Sequence, residues 1–504
     1  MFGGLGKAGW ATILATGGLM LGTSISAQAA DLGGDCCGDL EERIAELEAT
    51  TARKGNRKVS LEVSGHVNEA VLWWDDGVQS NAGVYTNDNS RTRFRFKGEA
   101  KINDDLKAGY LLEVGVRGAN SKRFDQEDPD GCTTPIPDET TPIPSCGLDV
   151  RHSVWYIKSK KFGRIWVGKT GGAGESVTEV NLAATKDVLK YSDIEDTGLG
   201  LFTLSGTNRL ANRSSTSGRT GLEWRQLIRG GGDQPGEGRR WDMVRYDTPE
   251  LFGFTGTVNF GEDDTWEMGL RYEGEFNGIK IASAIAYGEN TEGPLDGFNA
   301  DPEPGFQCLG NNLDGPDIEA PGTDTKCSQL GGSLSVMHVE SGLYANFAAG
   351  YMQDDQINLD NGFQAGAIPD DRNSFYAFEL GIEKKWHELG KTTLFAQYYH
   401  NDGGSQDRTV VQVLPGFAWN DVTATDAADP GNGPGNGDLQ SSELQSYGLG
   451  IIQGLDKASM NVYLVYRHYE GDVLTTGTAG NGFRGTKFEL DDLDVAMSGA
   501  IIKF

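Results

Sequence analysis

The chain of 504 residues carries 73 acidic and 44 basic side chains, and its formal net charge of −29 argues against nucleic acid as a partner. Its mean hydropathy is −0.43 and it contains no apolar run long enough for a transmembrane helix, which leaves a soluble protein or a barrel of strands that alternate apolar and polar residues. Glycine is abundant, with 72 residues against 16 prolines, and this composition suits many strands joined by tight turns.

The first 29 residues have the pattern of a secretory signal peptide. Lys7 precedes an apolar, small-residue centre, and Ala27-Gln28-Ala29 is a small-x-small cleavage site. Cleavage after Ala29 removes the charge of Lys7 and leaves a formal net charge of −29 − 1 = −30. The mature protein is therefore expected outside the cytoplasm, where disulfides form.

Residues 30–58 are predicted to form a linker that contains a short helix. Apolar residues recur at steps of four and three residues in Asp39–Thr51, with Glu and Arg between them. They are Leu40, Ile44 and Leu47. Two heptads are too short for a stable isolated helix, so the segment is either a frayed amphipathic helix or a small oligomerisation element. The adjacent Cys36 and Cys37 would then bridge neighbouring subunits.

The other four cysteines form two pairs that are close in sequence. In an exported chain, Cys132 with Cys146 and Cys308 with Cys327 are predicted to form disulfides that close two long polar loops. None of the cysteine spacings is C-x-x-C, so no metal site is predicted.

From residue 59 onward the hydrophobic pattern has a period of two. In Arg91–Ile102, charged residues alternate with Thr, Phe, Gly, Ala and Ile, as expected for a strand with one polar and one apolar face. The predicted strands are Val59–Trp74, Arg91–Ile102, Leu106–Gly118, Leu148–Lys158, Arg164–Lys169, Arg239–Thr248, Gly253–Phe260, Thr265–Phe276, Gly278–Gly288, Ser333–Val339, Gly342–Met352, Asn373–Lys385, Lys391–His400, Glu443–Gln453, Lys457–Tyr469 and Lys487–Phe504.

The connections between these sixteen strands alternate between short turns and long polar loops. An even strand number, with short turns on one rim and long loops on the other, is the plan of a bacterial outer-membrane barrel, whereas a soluble sandwich predicts no such alternation. The count treats Thr170–Gly238 as one connection. A strand at Leu199–Gly206 would break the alternation.

No motif supports catalysis. Gly163–Thr170, GRIWVGKT, matches the phosphate-loop pattern G-x-x-x-x-G-K-[ST], but the residues before its second glycine favour a strand rather than a glycine-rich turn. The six histidines are dispersed, and no G-x-S-x-G occurs. The protein is therefore predicted not to be an enzyme.

With these residues in view, the sequence resembles the alphaproteobacterial porin family of trimeric general-diffusion channels. The resemblance rests on CCGDLEERIAELEATTARKGNRKVSLEVSGHVNEAVLWWDDG, RFRFKGEAKI, RHSVWYIKSKKFGRIWVGKT, VRYDTP with FGFT, GLRYEGEFNGIKIASAIAY and the final Phe504. It implies an all-β fold, a 16-stranded antiparallel transmembrane barrel over residues 59–504, with residues 30–58 as a periplasmic linker. The loop cysteines and the long Gly/Pro/Asp tracts depart from the family pattern.

The resemblance also implies a function, a location and partners. The protein would be a homotrimer in the bacterial outer membrane, in contact with lipid and lipopolysaccharide, and would let small hydrophilic solutes and ions diffuse passively. A channel selective for sugars or anions and a structural envelope tether formed by the N-terminal helix stay open as alternatives. No cofactor is predicted, although acidic loop tracts such as DQEDPDG could bind Ca²⁺.

By the same resemblance, residues 170–238 form the third external loop, which folds into the barrel and narrows it. The expected acidic residues of this loop are Glu175, Glu179, Asp187, Asp193, Glu195 and Asp196. They would face a basic wall formed by Arg91, Arg93, Arg95, Arg117 and Arg151. Opposed rows of charge would set a transverse field across the constriction. The alternative is a merely solvated lining, because any wide lumen is polar.

Aromatic residues on the strands are expected at the membrane interfaces or in subunit contacts. They are Trp73, Trp74, Tyr110, Trp155, Tyr272 and Tyr398.

Overall fold

The computed structural model describes residues 58–134, 143–144, 146–206, 208–212, 221–228, 234–261, 265–290, 326–354, 370–412, 437–475 and 485–504. They belong to one compact unit, Lys58–Phe504. The predicted signal peptide, the predicted N-terminal helix, Cys36, Cys37 and Cys308 lie outside these residues. Within them, no helix combines the length and the apolarity that a membrane crossing requires.

The described secondary structure consists of strands and single 3-10 turns. The strands are β1 Glu62–Asp75, β2 Ser80–Thr86, β3 Arg93–Lys101, β4 Leu106–Arg117, β5 Thr133–Thr134, β6 Ile143–Pro144, β7 Gly147–Ser159, β8 Gly163–Gly171, β9 Leu204–Ser205, β10 Asn208–Asn212, β11 Arg240–Asp247, β12 Phe254–Gly261, β13 Trp266–Phe276, β14 Ile279–Asn290, β15 Cys327–His338, β16 Leu343–Asp354, β17 Arg372–His387, β18 Gly390–Gly403, β19 Gln406–Gln412, β20 Gly437–Leu455, β21 Met460–Thr475, β22 Lys487–Glu489 and β23 Leu493–Lys503. The 3-10 turns are Asp88–Ser90, Ala184–Asp187, Ile194–Asp196, Trp224–Ile228 and Asp456–Ala458.

Sixteen of these strands close into an antiparallel barrel. The order around it is β1-β3-β4-β7-β8-β11-β12-β13-β14-β15-β16-β17-β18-β20-β21-β23, and β23 pairs with β1. Backbone hydrogen bonds of 2.9 and 3.0 Å between Gly65 and Phe504 complete the seam. Each barrel strand corresponds to one predicted strand, so the predicted all-β, 16-stranded antiparallel barrel is confirmed.

Four predicted strands have boundaries that differ clearly from the structure. The predicted Glu443–Gln453 begins six residues earlier, at Gly437, and the predicted Lys457–Tyr469 ends six residues later, at Thr475. The predicted Ser333–Val339 begins six residues earlier, at Cys327, because its glycine-rich start pairs in full register with both neighbours. The predicted Lys487–Phe504 is interrupted between β22 and β23, where Leu490 donates its N–H to the carbonyl of Gly471.

Gly163–Thr170 is part of strand β8. This strand pairs along its length with β7 on one side and β11 on the other. The backbone N–H groups of a strand within a sheet bond to neighbouring strands and cannot cradle a phosphate. The interpretation of GRIWVGKT as a strand is confirmed.

Side chains alternate between two faces of the barrel. In β1, Val67 and Val71 are 43% and 54% exposed, whereas Ala70 and Leu72 are 3% and 0% exposed. Trp155 belongs to the exposed row. Trp74 does not: it is buried in the apolar cluster on the other face, so the prediction that it lies at an interface or subunit contact is wrong. At the end of β1 that contains Leu72 and Trp74, both faces carry apolar residues, because the inner face packs against other parts of the protein there.

The connection between β8 and β11 covers much of the inner face. We call the described residues of this connection, 172–206, 208–212, 221–228 and 234–238, the inner loop. Its backbone reaches strands far apart around the barrel: Val180 N–H donates to Ser333 Oγ at 3.0 Å, and the Asp187 carbonyl accepts from Asn68 Nδ2 at 3.1 Å. The carbonyl of Leu189 accepts from a third strand, through Gln397 Nε2 at 2.7 Å.

An apolar cluster joins the inner loop to the strands behind it. Val188, Leu189 and Leu201 of the loop are fully buried, and they pack in one cluster with the buried Phe375 and Val465 of the barrel. Because full burial of a large aliphatic side chain is worth about 2 kcal/mol, packing of this kind fixes the loop more firmly than its hydrogen bonds alone would.

The Leu199–Gly206 stretch contains only the two-residue strand β9, Leu204–Ser205, which pairs with β10. Strand β10 in turn pairs with β19, part of the long connection between β18 and β20. Neither short strand enters the barrel order, so the predicted alternation of short and long connections is preserved.

Candidate pore constriction

Three of the predicted wall arginines converge on one carboxylate. Glu113 in β4 is fully buried and accepts hydrogen bonds from Arg95 Nε at 2.7 Å, Arg151 Nε at 2.9 Å and Arg93 Nη1 at 3.4 Å. Glu113 lies directly opposite Arg95 in the β3–β4 pair, which places both side chains on the inner face. Glu113 was not among the predicted site residues. The sequence feature that could have identified it is a single acidic residue within the otherwise apolar stretch YLLEVGV.

A β-bulge directs Arg151 toward this carboxylate. Its neighbours Val150 and His152 pair with consecutive residues of β4, so Arg151 is the extra residue in β7. Gly115 provides the space, since a Cβ atom there would lie 3.0 Å from Arg151 Cδ and closer still to Asp149. The bulge and the glycine therefore bring an arginine from a third strand into the group.

The other two predicted arginines share Asp149. Arg91 Nη1 and Arg117 Nη2 lie 3.0 and 3.3 Å from Asp149 Oδ2. Arg91 also pairs through Nε with Asp88 Oδ1 at 2.5 Å. The structure thus gathers all five predicted arginines on the adjacent strands β3, β4 and β7 and their ends, with three carboxylates between them.

Three of the predicted acids surround one lysine of the inner loop. Lys190 Nζ lies 2.6 Å from Glu179, 2.5 Å from Asp193 and 3.2 Å from Asp196. This lysine was not predicted as a site residue, because its partners become neighbours only when the loop folds back on itself.

The other three predicted acids pair with cations outside the loop or at its end. The pairs are Glu175 with Arg240, Asp187 with Lys503, and Glu195 with Lys122. Each of the six acids is thus bound by a cation other than the five predicted arginines. The two groups still act on each other through space, since Asp196 is one of the charges that act on Arg91.

Asp196 sits in the loop among groups that oppose its ionisation. Burial, reinforced by the nearby carboxylate of Asp193, raises the pKa of Asp196 to about 7, although Lys190 and Lys122 act in the opposite direction. The charge of this acid therefore changes near neutral pH.

Two further arginines bind the backbone at the end of β8 and the start of the inner loop. Arg245 Nη1 donates to the Gly171 carbonyl at 2.8 Å, and Arg271 Nη2 donates to the Glu175 carbonyl. Both lie in alternating stretches, VRYD and LRYE, where a charged residue between outward-facing neighbours indicates an inward side chain. The sequence pattern could have identified them.

The predicted disulfide between Cys132 and Cys146 is present, with Cα atoms 4.9 Å apart. It closes the loop between β4 and β7. Cys327 lies in β15, and its predicted partner Cys308 lies outside the described residues.

Calcium at the acidic loops stays a prediction. In the DQEDPDG tract, Asp125 Oδ1 accepts from the backbone N–H groups of Glu127 and Asp128 at 2.7 and 2.6 Å, so this carboxylate closes its own turn. In the inner loop, Asp193, Glu195 and Asp196 bring carboxylate oxygens within 4.8 Å of one another. Their charges are offset by lysines, which leaves less reason for a cation there.

A family model described as Gram-negative porin matches residues 14–476. A search of curated protein sequences finds no match. Among solved structures, the chain is similar to an anion-selective porin from Comamonas acidovorans, with 14% identity, 88% of this chain and 100% of that chain covered, and a TM-score of 0.46. It is also similar to in-vitro folded OmpT of Vibrio cholerae in its trimer form, with 11% identity, coverage of 88% and 99%, and a TM-score of 0.43. For Salmonella typhi OmpF in complex with daunomycin, the identity is 14%, the coverage 89% and 99%, and the TM-score 0.41.

Proposed function

The chain belongs to the Gram-negative porin family, and from this membership we propose the route that solutes take through it. The protein is a porin of the bacterial outer membrane and forms an aqueous channel for passive diffusion of small hydrophilic solutes and ions. We propose that the route passes between the inner loop and the arginine-bearing strands β3, β4 and β7.

The observation that carries this proposal is the unequal covering of the inner face. Inward residues of the opposite strands are closed off by the inner loop: Ser335 and Ala377 are fully buried, and Val465 is nearly so. By contrast, Arg95 and Arg117 keep side-chain exposures of 43% and 28%. The accessible part of the lumen therefore includes the space beside these two arginines.

The outer face suits a lipid surround. Large apolar side chains such as Val71, Leu380 and Leu449 remain more than half exposed on strands spread around the barrel. Exposed apolar area of this extent is unfavourable in water, at about 25 cal/mol per Å², and is covered when acyl chains surround the barrel.

At the constriction, the five arginines and the six acids of the inner loop are proposed to act as the two charged sides. Their field would orient polar solutes as they pass and would disfavour apolar ones, which must lose water to enter. Mobile ions in a wider, fully solvated lining would screen the same charges, and the residues would then have no special role.

Further features of the family resemblance are proposed for this chain. They are a homotrimeric assembly of the alphaproteobacterial type, contact with lipid and lipopolysaccharide, and the absence of catalytic activity. The N-terminal segment that would form an envelope tether lies outside the described residues, so the tether remains an alternative from the sequence alone.

The test is transport by the purified protein in lipid. We expect planar bilayers to show a conductance that rises linearly with salt, and liposome swelling rates that fall smoothly with the size of neutral solutes. Saturation by a single sugar or anion would favour the selective channel instead. Absence of conductance from correctly folded protein would overturn the proposal. Deletion of residues 36–51 is expected to leave the conductance unchanged, and envelope defects in the deletion strain would favour the tether.

A further inference from the structure

We propose that two neighbouring turns on the short-turn rim form a docking site for the anionic phospholipids of the adjoining leaflet. They are the turn between β7 and β8, residues 159–163, and the turn between β11 and β12, residues 248–253. We call them the anchor turns. Lysines of the first turn bind the lipid phosphate, and apolar residues at both tips enter the acyl-chain boundary. The inference rests on the outer-membrane barrel and not on the solute route, so the two are tested separately.

Large apolar side chains stand at the tips of both anchor turns. Phe162 is 72% exposed in the first turn, and Leu251 and Phe252 are 63% and 97% exposed in the second. The turns are neighbours because β8 pairs with β11, and the hydroxyl of Tyr246 in β11 donates to the Phe162 carbonyl at 2.8 Å. Such a concentration of exposed apolar side chains is unfavourable in water and indicates a surface that another molecule covers.

The backbone of the second anchor turn makes the presence of Phe252 unusual. Leu251 and Phe254 exchange two N–H···O bonds of 2.9 Å, and Phe252 and Gly253 between them have φ of 54° and 85°. Two-residue turns with positive φ at both positions favour Asn-Gly, the pair that the β13–β14 turn contains at 277–278. A bulky residue is disfavoured at this φ. Local structure therefore does not explain Phe252, and its exposed ring indicates a contact outside the chain.

The first anchor turn is held in one shape by the buried Ser159. Ser159 Oγ accepts from the N–H groups of Lys161 and Phe162 at 3.1 and 3.0 Å and donates to Asp105 Oδ2 at 2.9 Å. Asp105 Oδ1 also accepts from the N–H group of Lys160 at 3.0 Å. Because the backbone of the turn is already fixed, binding through Lys160, Lys161 and Phe162 loses little backbone freedom.

The lysines of the first anchor turn supply the charge that an anionic lipid requires. Lys158, Lys160 and Lys161 are exposed, and no ion pair joins them to a residue that the structure describes. The acids of this region are Glu250 and Asp105, and the Asp105 oxygens already bind the first turn. Three lysines beside two acids give a positive site on a chain with a formal net charge of −29. Basic and apolar residues together bind an anionic bilayer surface more strongly than either kind alone.

The same pattern of two lysines and an aromatic residue recurs at the end of β17, in Lys384, Lys385 and Trp386. There the lysines are bound within the protein. Lys385 Nζ lies 2.7 Å from Asp456 Oδ2, and Lys384 Nζ donates to the Glu340 carbonyl at 3.2 Å. These two lysines therefore provide a matched control on the same rim, with the same residue types but with charges that are already engaged.

The test measures lipid binding to the detergent-solubilised protein by native mass spectrometry. The probes are phosphatidylglycerol and phosphatidylcholine with the same acyl chains. Lys160→Gln/Lys161→Gln removes the charges of the first anchor turn, and Lys384→Gln/Lys385→Gln is the control. Phe252→Asn tests the apolar tip, since asparagine suits the backbone of this turn. Heat-modifiable migration in SDS gels verifies that each variant forms a barrel, and conductance in planar bilayers verifies the channel.

We expect the wild type to bind phosphatidylglycerol more tightly than phosphatidylcholine. Lys160→Gln/Lys161→Gln is expected to weaken phosphatidylglycerol binding about tenfold to thirtyfold, the effect of two lysines at an anionic surface, and to leave phosphatidylcholine binding unchanged. The control variant is expected to keep the wild-type preference. Phe252→Asn is expected to weaken the binding of both lipids about tenfold without lowering the temperature of heat modification, because one large apolar side chain no longer enters the lipid.

Equal affinity of the wild type for the two phospholipids would overturn the docking site, as would an equal loss in the two double lysine variants. Tighter binding of lipid A than of phosphatidylglycerol would assign the anchor turns to lipopolysaccharide and overturn the proposal as well. Unchanged lipid binding in Phe252→Asn would refute insertion of the apolar tip. A channel that conducts but fails these lipid tests leaves the proposed function intact, whereas absence of conductance contradicts that function.

Discussion

Lys503 Nζ in strand β23 lies 2.5 Å from Asp187 Oδ2 in the inner loop. The pair joins the last barrel strand to the 3-10 turn Ala184–Asp187 of the loop. The lysine is half exposed, so the ion pair contributes only about 0.5 kcal/mol and adds to the hydrogen bonds and apolar packing that also hold the loop.

Asp187→Asn is therefore expected to leave the barrel stable and to raise the open-channel current noise, because the loop loses its ion pair with Lys503 near the seam. Single-channel recordings measure the noise. Lys385→Gln, which breaks the exposed Lys385–Asp456 pair on the short-turn rim, is the control. Equal noise in wild type and Asp187→Asn would show that the pair does not restrain the loop.

Selectivity is expected to depend on pH through Asp196. Because the pKa of Asp196 is raised to about 7, this carboxyl is charged above that pH and neutral below it. Acidification from about pH 8 to about pH 6 thus removes negative charge beside the proposed route. The reversal potential measured in a salt gradient is expected to shift toward greater anion selectivity. In Asp196→Asn this part of the shift is lost. The same dependence of the reversal potential on pH in wild type and in Asp196→Asn would contradict this prediction.

Packing of the inner loop is expected to control pore width. Leu189→Ala removes a fully buried side chain between loop and barrel, which typically costs about 2–4 kcal/mol. We expect larger conductance and faster proteolysis within the inner loop, with the barrel still folded. Leu330→Ala, on the exposed outer face, is the control for side-chain size. Conductance equal to wild type in Leu189→Ala would mean that the loop does not limit the pore.

The barrel seam is expected to require glycine at position 65. A Cβ atom there would lie 2.5 Å from the Arg93 carbonyl oxygen and 2.7 Å from Cζ of Phe504. Gly65→Ala should therefore destabilise the barrel by about 1–3 kcal/mol, seen as a lower temperature of heat modification in SDS. Gly118→Ala, whose Cβ would approach no atom closer than 3.8 Å, should behave as wild type. Matching transition temperatures in the two variants would refute the steric argument.

Much of the fold could be predicted because its determinants are local. Strand positions follow from a side-chain period of two, and barrel closure follows from the parity of short and long connections. The prediction for Trp74 failed where this locality ends: both faces of β1 are apolar there, and only the packed inner loop shows which face is covered.

The site was predicted only in outline for the same reason. The sequence by itself determined that alternate arginines of β3 share one face, since strand geometry requires it. The tertiary structure alone decided three further features. Glu113 joins these arginines, a bulge adds Arg151, and Lys190 forms ion pairs with acids of the inner loop. Strand pairing and loop folding bring together residues far apart in the chain, and the strength of an ion pair depends on distance and burial rather than on sequence separation.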